Sequence, residues 1–201
     1  MELVTIINLP LTVLILGQVE SNSSARVTVI TVVKNSVAGL QRSMNSLMEQ
    51  DFAQWKCVIV VGESKDGTFE FAQSMTNDSR IQVLRDRESG IYQAMNFGME
   101  LADTEYVWFM NGGDAFSDKD SLNYAIETSD KTKASILMGR YMVEHVYRNP
   151  LISKHGVKSV GRLEFAYNRR LGCHQAMLFR TTEIVRAGKY DYSFRLCSDF
   201  K

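Results

Sequence analysis

From Val27 onward, short runs of β-branched and other apolar residues alternate with segments in which apolar positions recur every three or four residues. Val27-Thr-Val-Ile-Thr-Val-Val33 is almost unbroken in its apolar character, as a parallel strand covered on both faces requires. The next segment sets Val37, Leu40, Met44, Leu47 and Met48 at helical spacing on one face. Cys57 to Val61 predicts a second strand. The turn Gly62-Glu-Ser-Lys-Asp-Gly67 follows it, and then a helix that faces Phe69, Ala72 and Met75 inward. A third strand, Ile81 to Leu84, precedes a polar turn and a helix carrying Ile91, Met95 and Ala102. Tyr106 to Met110 predicts a fourth strand and Leu122 to Ile126 another helix face. The pattern loosens over Ser135 to Val146, read as strands; Cys173 to Phe179 predicts one more, before a short helix ended by Gly188.

Strand and helix alternating at this spacing imply βαβ crossovers and a mainly parallel sheet flanked by helices. Ligands of such sheets collect at the carboxyl ends of the strands. That directs attention to Lys34-Asn35, Gly62 to Gly67, Arg85 to Gly90 and Asn111 to Asp114. Composition sets the scale: 201 residues, 45% hydrophobic and 23% charged, suffice for one well-buried core. Twenty-three basic side chains balance 23 acidic ones, so no net field holds the chain to nucleic acid, and any membrane association is weak. Cys57, Cys173 and Cys197 are odd in number and lack CxxC spacing, which argues against a disulfide framework or structural zinc and for a reducing cytoplasm.

Residues 1–25 stand apart as a leader and linker, with the catalytic domain assigned to 26–201. The apolar run Leu3 to Gly17 is shorter than the ~20 residues of a spanning helix and is interrupted by Asn8 and Pro10. It lacks the positive start of a signal peptide. A membrane-interface or packing segment, a poor signal sequence and a non-native leader all remain open. At the other end, Ser198-Asp199-Phe200-Lys201 stops in mid-pattern, which predicts a C-terminally truncated domain.

Acids cluster on the predicted rim: Glu63 and Asp66 after the second strand, Asp86 and Glu88 after the third, Asp114 after the fourth. Such a set suits hydrogen bonding to a base and ribose, or a hard cation held by one or two carboxylates and substrate phosphates. Taken singly, each Asp is an ordinary turn residue.

Two segments narrow the choice. Arg85-Asp-Arg-Glu-Ser-Gly-Ile-Tyr-Gln-Ala-Met-Asn-Phe-Gly98 resembles the Ser-Glu-x-Asp-x-Gly-Ile-Tyr-Asp-Ala-Met-Asn-Lys-Gly segment of bacterial family-2 glycosyltransferases that build surface polysaccharides. Trp108-Phe-Met-Asn-Gly-Gly-Asp114 is similar to that family's form of the metal-binding DxD motif. The resemblance implies a GT-A, Rossmann-like α/β fold and a metal-dependent, inverting hexosyltransferase. Its donor would be a nucleoside-diphosphate sugar, a UDP-sugar in the first instance, its acceptor a saccharide or lipid-linked saccharide, and its place the cytoplasm or the periphery of the membrane's inner face. Thr31, Glu63, Glu88, Asn96 and Asn111 then fall on the nucleotide-sugar side, and Asp114 would coordinate Mn²⁺ or Mg²⁺. His174 and Gln175, in Cys173-His-Gln-Ala-Met-Leu-Phe179, match the acceptor side, and Asp199 the catalytic base. Inversion needs one general base and one displacement, unlike the two carboxyls ~5 Å apart of a retaining glycosidase.

Several positions depart from the family. Val61 stands where an Asp is usual, Gln93 replaces a frequent Asp, and Phe97 a frequent Lys. The alternative these departures leave open is a catalytically impaired sugar-nucleotide-binding module. Another Rossmann-like enzyme is disfavoured, because no GxGxxG or P-loop spacing follows the first strand. Tyr92 and Tyr190 are weaker candidates for sugar stacking, and Arg169-Arg170 for a phosphate contact.

Overall fold

The computed structural model describes residues 25–86, 90–139, 142–145, 148–152, 158–159 and 174–191, with backbone only for the strands between 142 and 159. The leader at 1–24, Glu88, Arg169-Arg170, Cys173, Cys197 and Asp199 lie outside them.

Strands β1 (Val27–Val33), β2 (Trp55–Val61), β3 (Ile81–Arg85) and β4 (Tyr106–Phe109) run parallel in the spatial order β3-β2-β1-β4. The sheet then continues through antiparallel pairings to β9 (Met177–Arg180), β5 (Ile136–Met138) and β8 (Lys158–Ser159). A separate antiparallel ribbon joins β6 (Met142–His145) to β7 (Arg148–Ile152). The antiparallel strands are too short to show a period of two, which is why Ser135 to Val146 reads only loosely. The strand expected from Cys173 begins later: His174–Ala176 is a single 3₁₀ turn, and extended backbone starts at Met177.

Helices cover both faces. On one, Leu40, Met44 and Leu47 of α1 (Val37–Met48), Ala72 of α2 (Thr68–Ser74) and Leu122, Ala125 and Ile126 of α4 (Ser121–Thr132) pack on Val27, Val29, Val33, Ile59 and Trp108. On the other, Tyr92, Ala94, Met95 and Met99 of α3 (Ile91–Met99) pack on Ile30, Val32, Val58, Val60 and Phe109. Ile184 of α5 (Thr181–Arg186) joins this second layer. All seven β1 residues are therefore buried, which explains a run that is apolar but for Thr28 and Thr31. Each such aliphatic side chain stabilises the fold by ~1.5–3 kcal/mol. Two predicted core residues sit at helix ends and stay exposed, Met48 and Ile91. Met48 instead lays its sulfur 4.0 Å from the Arg80 guanidinium.

The helix bearing the Ala-Met-Asn segment lies very close to the sheet. A Cβ on Gly98 would stand 2.6 Å from Ile30 Cγ2 and 3.2 Å from Val60 Cγ2, so only glycine admits this approach. Parallel pairing puts the carboxyl ends of β1 to β4 on one rim. Because β2 and β4 flank β1 on opposite sides, the chain switches direction there, between the loops that follow β1 and β4. Among the described residues, no helix is long and apolar enough to cross a membrane.

Candidate active site

The Asn111-Gly-Gly-Asp114 segment lies at that switch point. Met110 N–H and Gly112 N–H donate to Ile30 O and Val32 O, at 2.9 Å each, and carry the β1–β4 pairing beyond the strand. The chain then closes a turn in which Asp114 N–H donates to Asn111 O at 2.9 Å. Gly113 takes φ +112° there, a left-handed value at the third turn position that favours glycine.

Helix α1 fixes the turn from beneath. The Ser43 hydroxyl, 1% exposed, accepts from Gly113 N–H at 3.0 Å and donates to Asp114 O at 2.6 Å. Ser46 Oγ accepts from Phe116 N–H at 3.1 Å. Gln50 donates to Asp118 O at 2.7 Å and accepts from Leu122 N–H at 3.0 Å. Ser43 and Ser46 on α1 and Gln50 just past its end form a polar stripe at i, i+3 and i+7 that sequence reasoning passed over. The available signal was polar side chains at helical spacing beside the apolar face.

Burial pushes the Asp114 carboxyl above its ordinary pKa; the Asn111 backbone, His174, the Gln175 side-chain hydrogen bond and Arg42 oppose the shift. Beside it, Asn111 Oδ1 is buried and accepts no hydrogen bond among the described residues. The 3₁₀ turn brings His174 and Gln175 to the same place. Its anchor is Trp108, whose Nε1–H donates to Gln175 O at 2.7 Å and whose ring meets Phe116 edge-on at 5.1 Å.

The divalent cation that the family resemblance implies needs oxygen donors. Among the described residues, no group of three or more His, Cys, Asp or Glu converges on a point, so an all-protein cage does not fit. A desolvated carboxylate and an unmatched amide oxygen on one turn do fit a hard cation whose other ligands are phosphate and water.

The remaining expected residues divide. Glu63 is exposed on the rim loop after β2. Asp66 shares that loop but is engaged within the protein. It accepts from Thr68 N–H at 3.1 Å, from the Thr68 hydroxyl at 2.5 Å and from Val37 N–H at 3.3 Å. It thereby ties the first turns of α1 and α2 together, and the Thr68 hydroxyl holds its carboxyl below the usual range. Asn35 binds the same two loops through Ser64 Oγ and Lys65 N–H.

Thr31 does not reach the rim. It is 1% exposed within β1, hydrogen-bonded to the Cys57 thiol; helices cover both faces of the strand, and alternation sets Thr31 on the α1 side. Val61 is likewise fully buried, so the position where the family favours Asp offers nothing to a base. Asn96 gives both ends of its amide to the backbone of Tyr190. Tyr92 and Tyr190 stack on each other, centroids 5.5 Å apart, and each is 7% exposed, which leaves no open face for a sugar. Cys57 is a buried core residue whose thiol desolvation pushes up to about 12.

The family model for glycosyl transferase family 2 matches residues 28–188. The chain belongs to that family. A PGL/p-HBAD biosynthesis glycosyltransferase of Mycobacterium tuberculosis is 26% identical over 176 residues, 86% of this chain and 66% of the relative. TuaG of Bacillus subtilis, a glycosyltransferase provisionally assigned to teichuronic acid biosynthesis, is 27% identical over 163 residues, 80% of this chain and 64% of TuaG. Among solved structures, S. aureus TarS 1-349 in complex with UDP-GlcNAc superimposes with a TM-score of 0.69 at 20% identity, over 87% of this chain and 51% of that one. The mannosyltransferase PcManGT of Pyrobaculum calidifontis, solved with GDP-Man and Mn²⁺, gives 0.63 at 18% identity, over 83% and 48%. The glycosyl transferase family 2 chain thus has the mixed α/β GT-A fold of these enzymes. It spans about two thirds of the curated relatives' length and about half of the solved chains'.

Proposed function

We propose that this family-2 chain carries the donor site of a glycosyltransferase that moves a sugar from a nucleoside-diphosphate sugar, a UDP-sugar in the first instance, to an acceptor hydroxyl. The observation that carries the reading is the Asn111–Asp114 turn at the β1/β4 switch point, with a desolvated carboxylate and an unmatched amide oxygen. Asp114 and Asn111 would hold Mn²⁺ or Mg²⁺. When bound, the cation stabilises negative charge that develops on the departing diphosphate.

The chain's own residues supply the rest. Ser43 holds the turn so that the carboxylate needs little rearrangement, and Gln175 donates to that carboxylate. Glu63 is exposed where a base or ribose would lie; with Val61 buried, it carries the recognition that an Asp supplies in relatives. Asp199 would take the proton of the acceptor hydroxyl in a single inverting displacement. The UDP-GlcNAc complex of TarS supports a UDP-sugar donor, and TuaG supports an acceptor in cell-surface polysaccharide assembly, a saccharide or lipid-linked saccharide.

Titration calorimetry against UDP-, GDP- and dTDP-sugars, with and without Mn²⁺, identifies the donor. Mn²⁺-dependent hydrolysis of that sugar nucleotide, abolished in Asp114→Ala, is the expected result. A wild-type chain that binds none of the panel would overturn the proposal. Binding without any turnover would leave the impaired sugar-nucleotide-binding module instead, the reading that the buried Val61 favours.

A further inference from the structure

After α5 the chain reverses through two consecutive left-handed residues, Gly188 at φ +91° and Lys189 at φ +59°, and returns across α3. Asn96 of α3 and Glu100, the residue that ends this helix, receive it one turn apart. Glu100 pairs with the Lys189 ammonium. Asn96 Nδ2–H donates to Tyr190 O at 2.8 Å, and Asn96 Oδ1 accepts from Tyr190 N–H at 3.0 Å. A primary amide carries one acceptor and a donor pair on the same plane, so Asn96 copies the partner that a neighbouring strand would offer. Asp lacks the donor and Gln is one methylene too long, which gives a physical reason for Asn at this point of the Ala-Met-Asn segment.

The latch sets an aromatic side chain against the site. Tyr190 stacks on Tyr92 at 5.5 Å, meets Phe109 edge-on at 5.1 Å and lies 6.1 Å from the His174 ring, at 62° to it. His174 belongs to the 3₁₀ turn whose Gln175 hydrogen-bonds Asp114. A continuous path of contacts therefore runs from α3, the helix that follows the β3 rim loop, through Asn96 and Tyr190 to the turn beside Asp114.

We propose that Asn96 is a positioning residue rather than a nucleotide contact: it latches Tyr190 onto α3 and so fixes the His174–Gln175 turn against Asp114. This rests on the reading of Asp114 as the donor-site carboxylate. Because the amide is already matched at both ends, loss of Asn96 leaves nucleotide affinity in place and disturbs the turn.

The test combines hydrogen exchange at the Tyr190 amide with MnCl₂–UDP calorimetry and hydrolysis of UDP-GlcNAc, in the full chain. Asn96→Ala is expected to speed Tyr190 exchange about tenfold or more while β1 amides hold, since one lost hydrogen bond is worth roughly that factor. Asn96→Asp, which keeps the acceptor oxygen, gives a smaller increase and remains a usable variant if Asn96→Ala folds poorly. UDP affinity stays within about twofold, and hydrolysis loses kcat with KM held, the signature of an interaction needed after binding. Unchanged Tyr190 exchange, an unchanged kcat, or a tenfold loss of UDP affinity would each overturn the proposal. A wild-type chain that neither binds UDP nor turns over overturns the donor-site reading and the positioning role with it. The Tyr190 exchange then reports separately whether the latch exists.

Discussion

Asp114 combines a negative charge with a site that disfavours charge, and its pH behaviour follows. Its folded-state pKa lies above the unfolded value because burial penalises the anion. The folded chain therefore keeps a proton over a window in which the unfolded chain has lost it, and stability falls as pH rises through that window. Asp114→Asn, which cannot ionise, should remove this fall, giving a flatter profile of urea midpoint against pH than wild type. Cation affinity should move the opposite way in the wild-type chain, rising with pH over the same window, because a proton competes for the same oxygens. Ser43→Ala is the complementary change. It leaves the Gly113 N–H without its acceptor in a half-buried turn, so a loss of about 1 kcal/mol in urea unfolding is expected, together with weaker Mn²⁺ binding by calorimetry. Equal Mn²⁺ affinity in wild type and Ser43→Ala would show that the turn holds its shape without the hydroxyl.

At the scale of elements, legibility followed how many residues each signal had to work with. β1 spends seven consecutive buried positions on one message, and β2 nearly as many, so the parallel block and its ligand rim were readable. The strands β5 and β8 have three and two residues, and no period emerges from so few. Side-chain roles were harder than elements. Asp66 looked like a ligand acid, yet an Asp two residues before a helix also satisfies backbone N–H groups, and the structure uses it in that way. Thr31 was expected on the nucleotide-sugar side, but β1 is covered on both faces and Thr31 lies within the strand, so it is buried. Ser43 carried no motif at all, since its partner lies 70 residues away. Gly98 was legible as part of a segment but not as a packing device. The reason shows in the distance to Ile30: Gly98→Ala should destabilise by ~1–3 kcal/mol on thermal unfolding through overpacking, although alanine is the better helix former. A stabilised variant would mean that α3 can lift from the sheet at little cost.

The molecule as a whole separates the work of its two rims. The carboxyl ends of β1 to β4 hold the candidate chemistry, and charge is concentrated at the opposite end in a network that closes the fold. Arg26, just before β1, reaches Asp130 of α4 through two hydrogen bonds of 2.8 Å and pairs with Glu105, which also receives Arg180 of β9 at 2.8 Å. Both guanidinium groups lie over the Tyr106 ring, at 5.7 and 5.0 Å. The hydrogen bond from Arg26 holds the Asp130 carboxyl down at about 2. A folded pKa below the unfolded ~3.9 contributes stability that is present above pH ~4 and is lost as pH falls through about 2. The pair is substantially exposed, so screening by water and salt keeps its worth small and makes it salt-sensitive. Asp130→Asn should therefore lower stability near neutral pH, flatten the acid limb of the unfolding profile between pH ~4 and ~2, and lose part of its effect in high salt. Because the network lies at the amino end of the parallel strands, UDP affinity should stay at the wild-type value. A drop in nucleotide binding with the fold intact would mean that the two rims are coupled through the sheet, contrary to the division of roles argued from its topology.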